Sequence, residues 1–250
     1  MEVHPHAIHH EKKWKDYLFE FLMLFLAVTA GFFMENQREH LTEEHRVREY
    51  ARSLIQDLAR DTSMVAETIQ RINNSVVHID RFAKFVEGKK IEELRNIDLY
   101  AYTLFIDGYR PYTWNRATID QIKNSGSLRY FTNDSIVNSI SAYDAFTHHM
   151  DEDYKGDEER SDRTMEKKAE LINLNYEPYL QEQLRAGNDS LPPETPGRTL
   201  LTKDINQIKM LVNKKLIIKY ALLVRSQQEL PHLIKDANRL ILALKSEYDL

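Results

Sequence analysis

Apolar and polar positions follow helical periods along most of this chain, and the first run is apolar on every side. From Tyr17 to Met34 the residues read YLFEFLMLFLAVTAGFFM, with Glu20 the one charge among them. At 1.5 Å per residue such a run makes about 27 Å of helix, near the thickness of a hydrocarbon core. Trp14 and Tyr17 stand at its first edge with Lys12, Lys13 and Lys15 just outside, and the second edge switches abruptly to Glu35, Asn36, Gln37, Arg38 and Glu39. Amphipathic rings and flanking cations favour the headgroup region, so the pattern predicts a transmembrane helix over 17–34 behind an N-terminal tail, 1–16. A cleaved signal peptide is the rival, with the lysines before the run and Val28-Thr29-Ala30 as a small-residue cleavage site. Glu20 inside the run, and Phe32-Phe33-Met34 beyond that cut, speak against it. A buried core helix would need a polar face, which these positions lack.

Beyond the anchor the apolar period changes to alternating steps of four and three. Ala51, Ile55, Leu58, Thr62, Val65, Ile69, Ile72, Val76, Ile79, Ala83 and Val86 form one such seam, and no Gly or Pro interrupts Glu35 to Glu87. A seam of this kind serves a dimeric coiled coil or an intramolecular bundle, and the companion helices further on favour the bundle. Gly88-Lys89-Lys90 supplies a C-cap glycine and cations at the negative helix end. Short helices are expected over 97–106 and 113–123, separated by Gly108 and Pro111, with a turn at Asn124-Ser125-Gly126-Ser127. Asn133 or Asp134 caps a long helix carrying Ile136, Ile140, Tyr143, Phe146, Met150 and Tyr154. The charged stretch 155–168 reads as solvated helix or a frayed joint at Gly156, and Pro178 as a kink or boundary. Residues 186–198, AGNDSLPPETPGR, are a loop. From Asp204 to Tyr248 another long helix is expected, kinked or broken at Pro231. The fold expected is all-α: a transmembrane helix continuing into an elongated antiparallel bundle of three to four long helices with short connecting ones, over 35–250.

Composition narrows the function. The 250 residues carry a net charge of −5, which gives no reason to expect non-specific nucleic-acid binding, since that needs a basic footprint. Cysteine is absent, which removes disulfides, thiolate metal sites and cysteine nucleophiles. No Walker loop, dinucleotide fingerprint, nucleophile elbow or zinc-protease helix occurs, so no enzyme and no cofactor are expected.

The runs FEFLMLFLAVTAGFFMENQREH, REYARSLIQDLARDT and ATIDQIKNSGSLRYF resemble a family of uncharacterised bacterial proteins with one N-terminal membrane helix. In that family an acidic residue opens the span, as Glu20 does here. A Tyr-x3-Leu-x2-Asp-Leu helix follows, and then a Leu/Ile-x-x-Ser-Gly-x-Leu segment, here Ile122 to Leu128. The resemblance implies the architecture and no activity. The expected location is a bacterial inner membrane. Lys and Arg counts on the two flanks nearly balance, and the adopted orientation places the N-terminus inside and the helical domain in the periplasm.

Few residues invite chemistry. Glu20 inside the span, with the small-xxx-small pair Ala27 and Gly31, is a candidate for membrane-helix association. His4, His6, His9 and His10 could bind a metal, or simply form a polar tail. Asp144, His148 and Glu152 share one helix face and would need ligands from a facing helix. Tyr100, Tyr102, Phe105, Tyr109, Tyr112 and Trp114, beside Arg110 and Arg116, could line a ligand cavity or pack short helices on long ones. The partners expected are membrane lipid and a protein partner or second copy. A membrane-anchored scaffold or accessory subunit is the leading reading. The alternatives are an extracytoplasmic sensor of a small ligand, and metal binding through the tail.

Overall fold

The second half of helix α1, Trp14–Val86, carries the seam that organises the bundle. The computed structural model describes residues 13–94, 99, 102, 112–173, 175 and 200–250, apart from the side chain of Asp16. Of these residues 87% are helical and none belongs to a strand. Residues 1–12 of the expected tail, with all four of its histidines, the loop 186–198, Pro178 and most of the expected helix 97–106 lie outside the described residues, and the last three tail residues, 14–16, already belong to α1. The chain divides into two units, Met1–Tyr50 and Ala51–Leu250. The described part of the first is the opening stretch of α1, which includes an eighteen-residue window of mean hydropathy 1.9 with none of it buried. It is long and apolar enough to cross a membrane.

In the second unit the seam keeps its heptad spacing but not its exact membership. Ala51, Leu58, Val65, Ile72, Ile79 and Val86, seven apart, are all buried. The intervening positions Ile55, Thr62, Ile69, Val76 and Ala83 are only half-buried. The second inward line runs one residue earlier, through Leu54, Asp61 and Phe82. The bundle therefore wraps the side of α1 that holds a carboxylate. The helix stops at Val86, where Gly88 takes φ +71° and lets the chain turn back.

The chain then returns along α1. Tyr102 packs on Phe82 and Phe85, Asn115 bonds Asp61, and Thr118 bonds Asp57, so rising numbers descend the helix. Helix α2, Ala117–Asn124, closes this leg. It starts four residues later than expected, because Trp114 and Asn115 use their side chains on Asp151 and Asp61 instead. Gly126 at φ +68° ends α2 and leads into a 3-10 turn, Ser127–Tyr130, which gives the Ser-Gly motif a physical reason.

Helix α3, Asp134–Leu171, is capped by Asn133, whose side chain accepts from the Ser135 amide at 3.0 Å. It passes Gly156 without a joint. Helix α4, Ile205–Val224, a π turn at Arg225–Glu229 and helix α5, Leu230–Tyr248, form the last leg, with Asp204 capping α4. Pro231 produces no break. It sits in the first turn of α5, just past the π turn, where its missing N–H is tolerated. Helix α3 packs on α4 and α5. The pairs Asn133–Glu247, Asp157–Arg225 and Leu171–Leu201 show that they run antiparallel. Consecutive legs alternate in direction, so α1 and α3 are parallel.

Candidate functional site

Glu20, Ala27 and Gly31 fall on one stripe of α1 at spacings of seven and four, and all three are exposed. A Cβ added at Gly31 would meet nothing within 4 Å, so close approach of another helix there is unobstructed by this chain. Along the same stretch Phe21 and Phe25 stack, and Thr29 returns its hydroxyl to the Phe25 carbonyl at 2.8 Å, leaving an outward surface that is apolar.

Inside the bundle the densest polar group surrounds Asp61. Its Oδ1 accepts from the Asn115 amide at 3.0 Å and from Asn115 Nδ2 at 2.7 Å, while Oδ2 accepts from the Tyr143 hydroxyl at 2.8 Å. Burial, then the charge and hydrogen bond of Asp61, push the Tyr143 phenol well above its ordinary range, so it remains a donor. One turn away, Asp57 Oδ2 accepts from the Thr118 hydroxyl at 2.6 Å. Helix α2 has no side-chain cap of its own, and these two carboxylates of α1 stand at its positive end in place of one. On the other side Arg116 bridges to Asp151 at 2.7 Å and donates to Thr147, and Lys123 pairs with Asp144. Nothing singled out Asp61 beforehand. The available signal was a carboxylate in the register of Leu54 and Phe82.

A second polar line lies where a solvated stretch was expected. Along α3 the buried positions Ile136, Ile140, Tyr143, Thr147 and Met150 are followed at the same spacing by Asp157, Ser161, Thr164, Lys168 and Leu171. The seam continues, but its chemistry turns polar. Facing it, Arg225 in the π turn places Nε 3.2 Å from Asp157 Oδ2 and Nη1 3.1 Å from Asp153 Oδ2, and also bonds Glu229. Burial alone would favour a neutral guanidine. The Glu229 hydrogen bond and the fields of Asp157, Glu229 and Asp153 outweigh it, raising the pKa of Arg225 further. Arg160 binds the other oxygen of Asp157 at 2.7 Å.

His149, Asp153 and Glu229 also bring one ligand atom each within 4.8 Å of one another. The guanidinium of Arg225 already occupies two of these three groups, so the arrangement is an ion-pair network closed by an internal cation. The expected row behaves differently again. His148 lies 3.7 Å from Asp144, whose other oxygen takes Lys123, and Glu152 joins neither. The four tail histidines fall outside the described residues. Of the aromatic group, Tyr112 stacks on Trp114 and meets Tyr154 edge-on, while Trp114 Nε1 donates to Asp151 at 2.8 Å. A cleft between Tyr112, Trp114 and the α1 residues Met64, Val65, Thr68 and Arg71 has about 20 Å³ of room, enough for a water and far below a metabolite.

Comparison with protein-family models, curated proteins and solved structures finds no match to this chain.

Proposed function

We propose that this chain is a single-pass membrane-anchored helical scaffold, an accessory subunit that holds a partner protein at a bacterial inner membrane and performs no catalysis. The observation that carries this reading is the make-up of α1. One helix holds both an exposed span-length apolar window and the inward seam of a bundle. A row of exposed Phe, Leu and Met side chains is costly in water and favourable in lipid. The stripe of Glu20, Ala27 and Gly31 suits close packing against a second membrane helix, from a partner or another copy. Within the bundle the buried Asp157 and Arg225 pair with each other, and the buried Asp61 is held by Asn115 and Tyr143, which suits a rigid support.

The test is made in two parts. A C-terminal tag is exposed to protease in intact and in lysed spheroplasts. Degradation before lysis is expected and supports the periplasmic placement, whereas protection until lysis overturns the orientation. Purification of the full chain in mild detergent is then expected to bring a stoichiometric partner protein with it. Recovery of the chain alone would sink the scaffold reading.

A further inference from the structure

Helix α4 is apolar on two opposite sides, and one of them is covered by nothing among the described residues. Its inward side buries Ile208, Leu211, Ile218 and Leu222. Diametrically opposite, Met210, Ile217, Tyr220 and Val224 are exposed at 49%, 58%, 65% and 39%. With Asn213 they follow steps of three and four, the spacing of a helix-docking seam. Scattered apolar residues on a surface need no explanation, but a row in heptad register on one helix does.

The charge on this face narrows what fits it. Helix α4 contains no Asp or Glu, although the whole chain is net acidic. Lys209 and Lys214 flank the stripe on its two sides, and neither has an ion pair among the described residues. Lys219, by contrast, binds Asp80 at 2.6 Å. With Met210, Ile217 and Val224 in the first core position of the heptad and Asn213 and Tyr220 in the second, these two lysines take the flanking positions that set partner choice. A parallel second copy would oppose Lys209 to Lys214, and an antiparallel one would find no acid on α4 either. A lipid surface would bury Asn213 without a partner in the middle of the stripe, whereas a facing helix can supply one.

We propose that the outer face of α4 is a docking surface for an amphipathic helix of a partner protein, apolar at heptad spacing and flanked by Asp or Glu. This deepens the scaffold reading and rests on it only in requiring a protein partner.

The absence of cysteine makes the test direct. Ile217→Cys in the full detergent-solubilised chain is labelled with an environment-sensitive dye. Two synthetic helical peptides are titrated, identical in their apolar stripe and flanked by Glu in one and Lys in the other. The Glu peptide is expected to shift the emission and to bind at least about tenfold tighter than the Lys peptide. The double variant Lys209→Glu/Lys214→Glu, at one exposed and one half-buried position, is expected to reverse that order. Equal binding of both peptides, or of neither, overturns the proposal. So does a shift produced by anionic-lipid nanodiscs without peptide, or a disulfide between two Ile217→Cys chains before labelling. A partner that co-purifies while both peptides fail leaves the scaffold reading intact and moves the docking face elsewhere.

Discussion

The hydroxyl of Tyr143 donates to Asp61 Oδ2 at 2.8 Å across 82 residues of sequence, joining the parallel helices α1 and α3 through a buried carboxylate. The same carboxylate holds Asn115, so three of the four legs meet at one group. Replacement by Tyr143→Phe keeps the packing and leaves Asp61 one donor short. The expected loss is about 1–3 kcal/mol of stability, read as a shift of the urea midpoint followed by circular dichroism. An unchanged midpoint would mean that Asp61 is satisfied without the phenol.

Arg225 and Asp157 should behave as a coupled pair. Arg225→Leu leaves Asp157, Asp153 and Glu229 facing one another with a single guanidinium, Arg160, still bound to Asp157, and is expected to cost about 3–5 kcal/mol. Adding Asp157→Leu removes the most buried of these three carboxylates, so the double variant is expected to regain part of that loss. Additive losses in thermal melts would contradict the coupling.

His78 sets a pH dependence. Partial burial, with the nearby charge of Arg81 adding to it, holds its pKa below the ordinary 6.5. The folded state therefore prefers the neutral ring. Stability present above pH 6.5 is lost as the pH falls through the depressed folded-state value, because the unfolded chain takes up the proton first. Melting temperatures measured downward from pH 7 should decline more steeply for the parent than for His78→Gln, and parallel curves would count against it.

Gly126 is a backbone requirement. At φ +68° an added methyl strains the turn even though no neighbour would touch it, so Gly126→Ala is expected to cost about 1 kcal/mol in the same unfolding assay. No measurable cost would show that the turn relaxes to another conformation.

Much of the architecture was legible because helices announce themselves through spacing. The long uninterrupted run of α1, the cap at Asn133, the stop at Gly88 and the apolar window were all visible as local pattern. Choices between adjacent registers were not. Ile55 or Leu54, Thr62 or Asp61, differ by one position, and only the neighbours of the folded bundle decide which faces inward. The same limit hid both polar clusters. A charged stretch such as 155–168 looks solvated until Arg225, some seventy places later, is brought against Asp157. Spacing alone favours His148, which shares a face with Asp144 and Glu152, whereas the carboxylate beside His149, Glu229, comes from the distant π turn.

The π turn has a consequence for how the last leg counts residues. Buried positions run through Leu211, Lys215, Ile218 and Leu222 before it and through Leu230, Leu233, Ala237, Leu240 and Leu244 after it. From Leu222 to Leu230 is eight residues where the heptad spacing uses seven, and in an ordinary helix the surplus would rotate everything beyond it by about 100°. The wide turn, in which the Leu230 amide reaches back to the Arg225 carbonyl, takes up that residue as slack. Phase is thus uncoupled from length at one place, so α5 keeps its apolar side on α3 while α4 is free to turn its own outer stripe away from it.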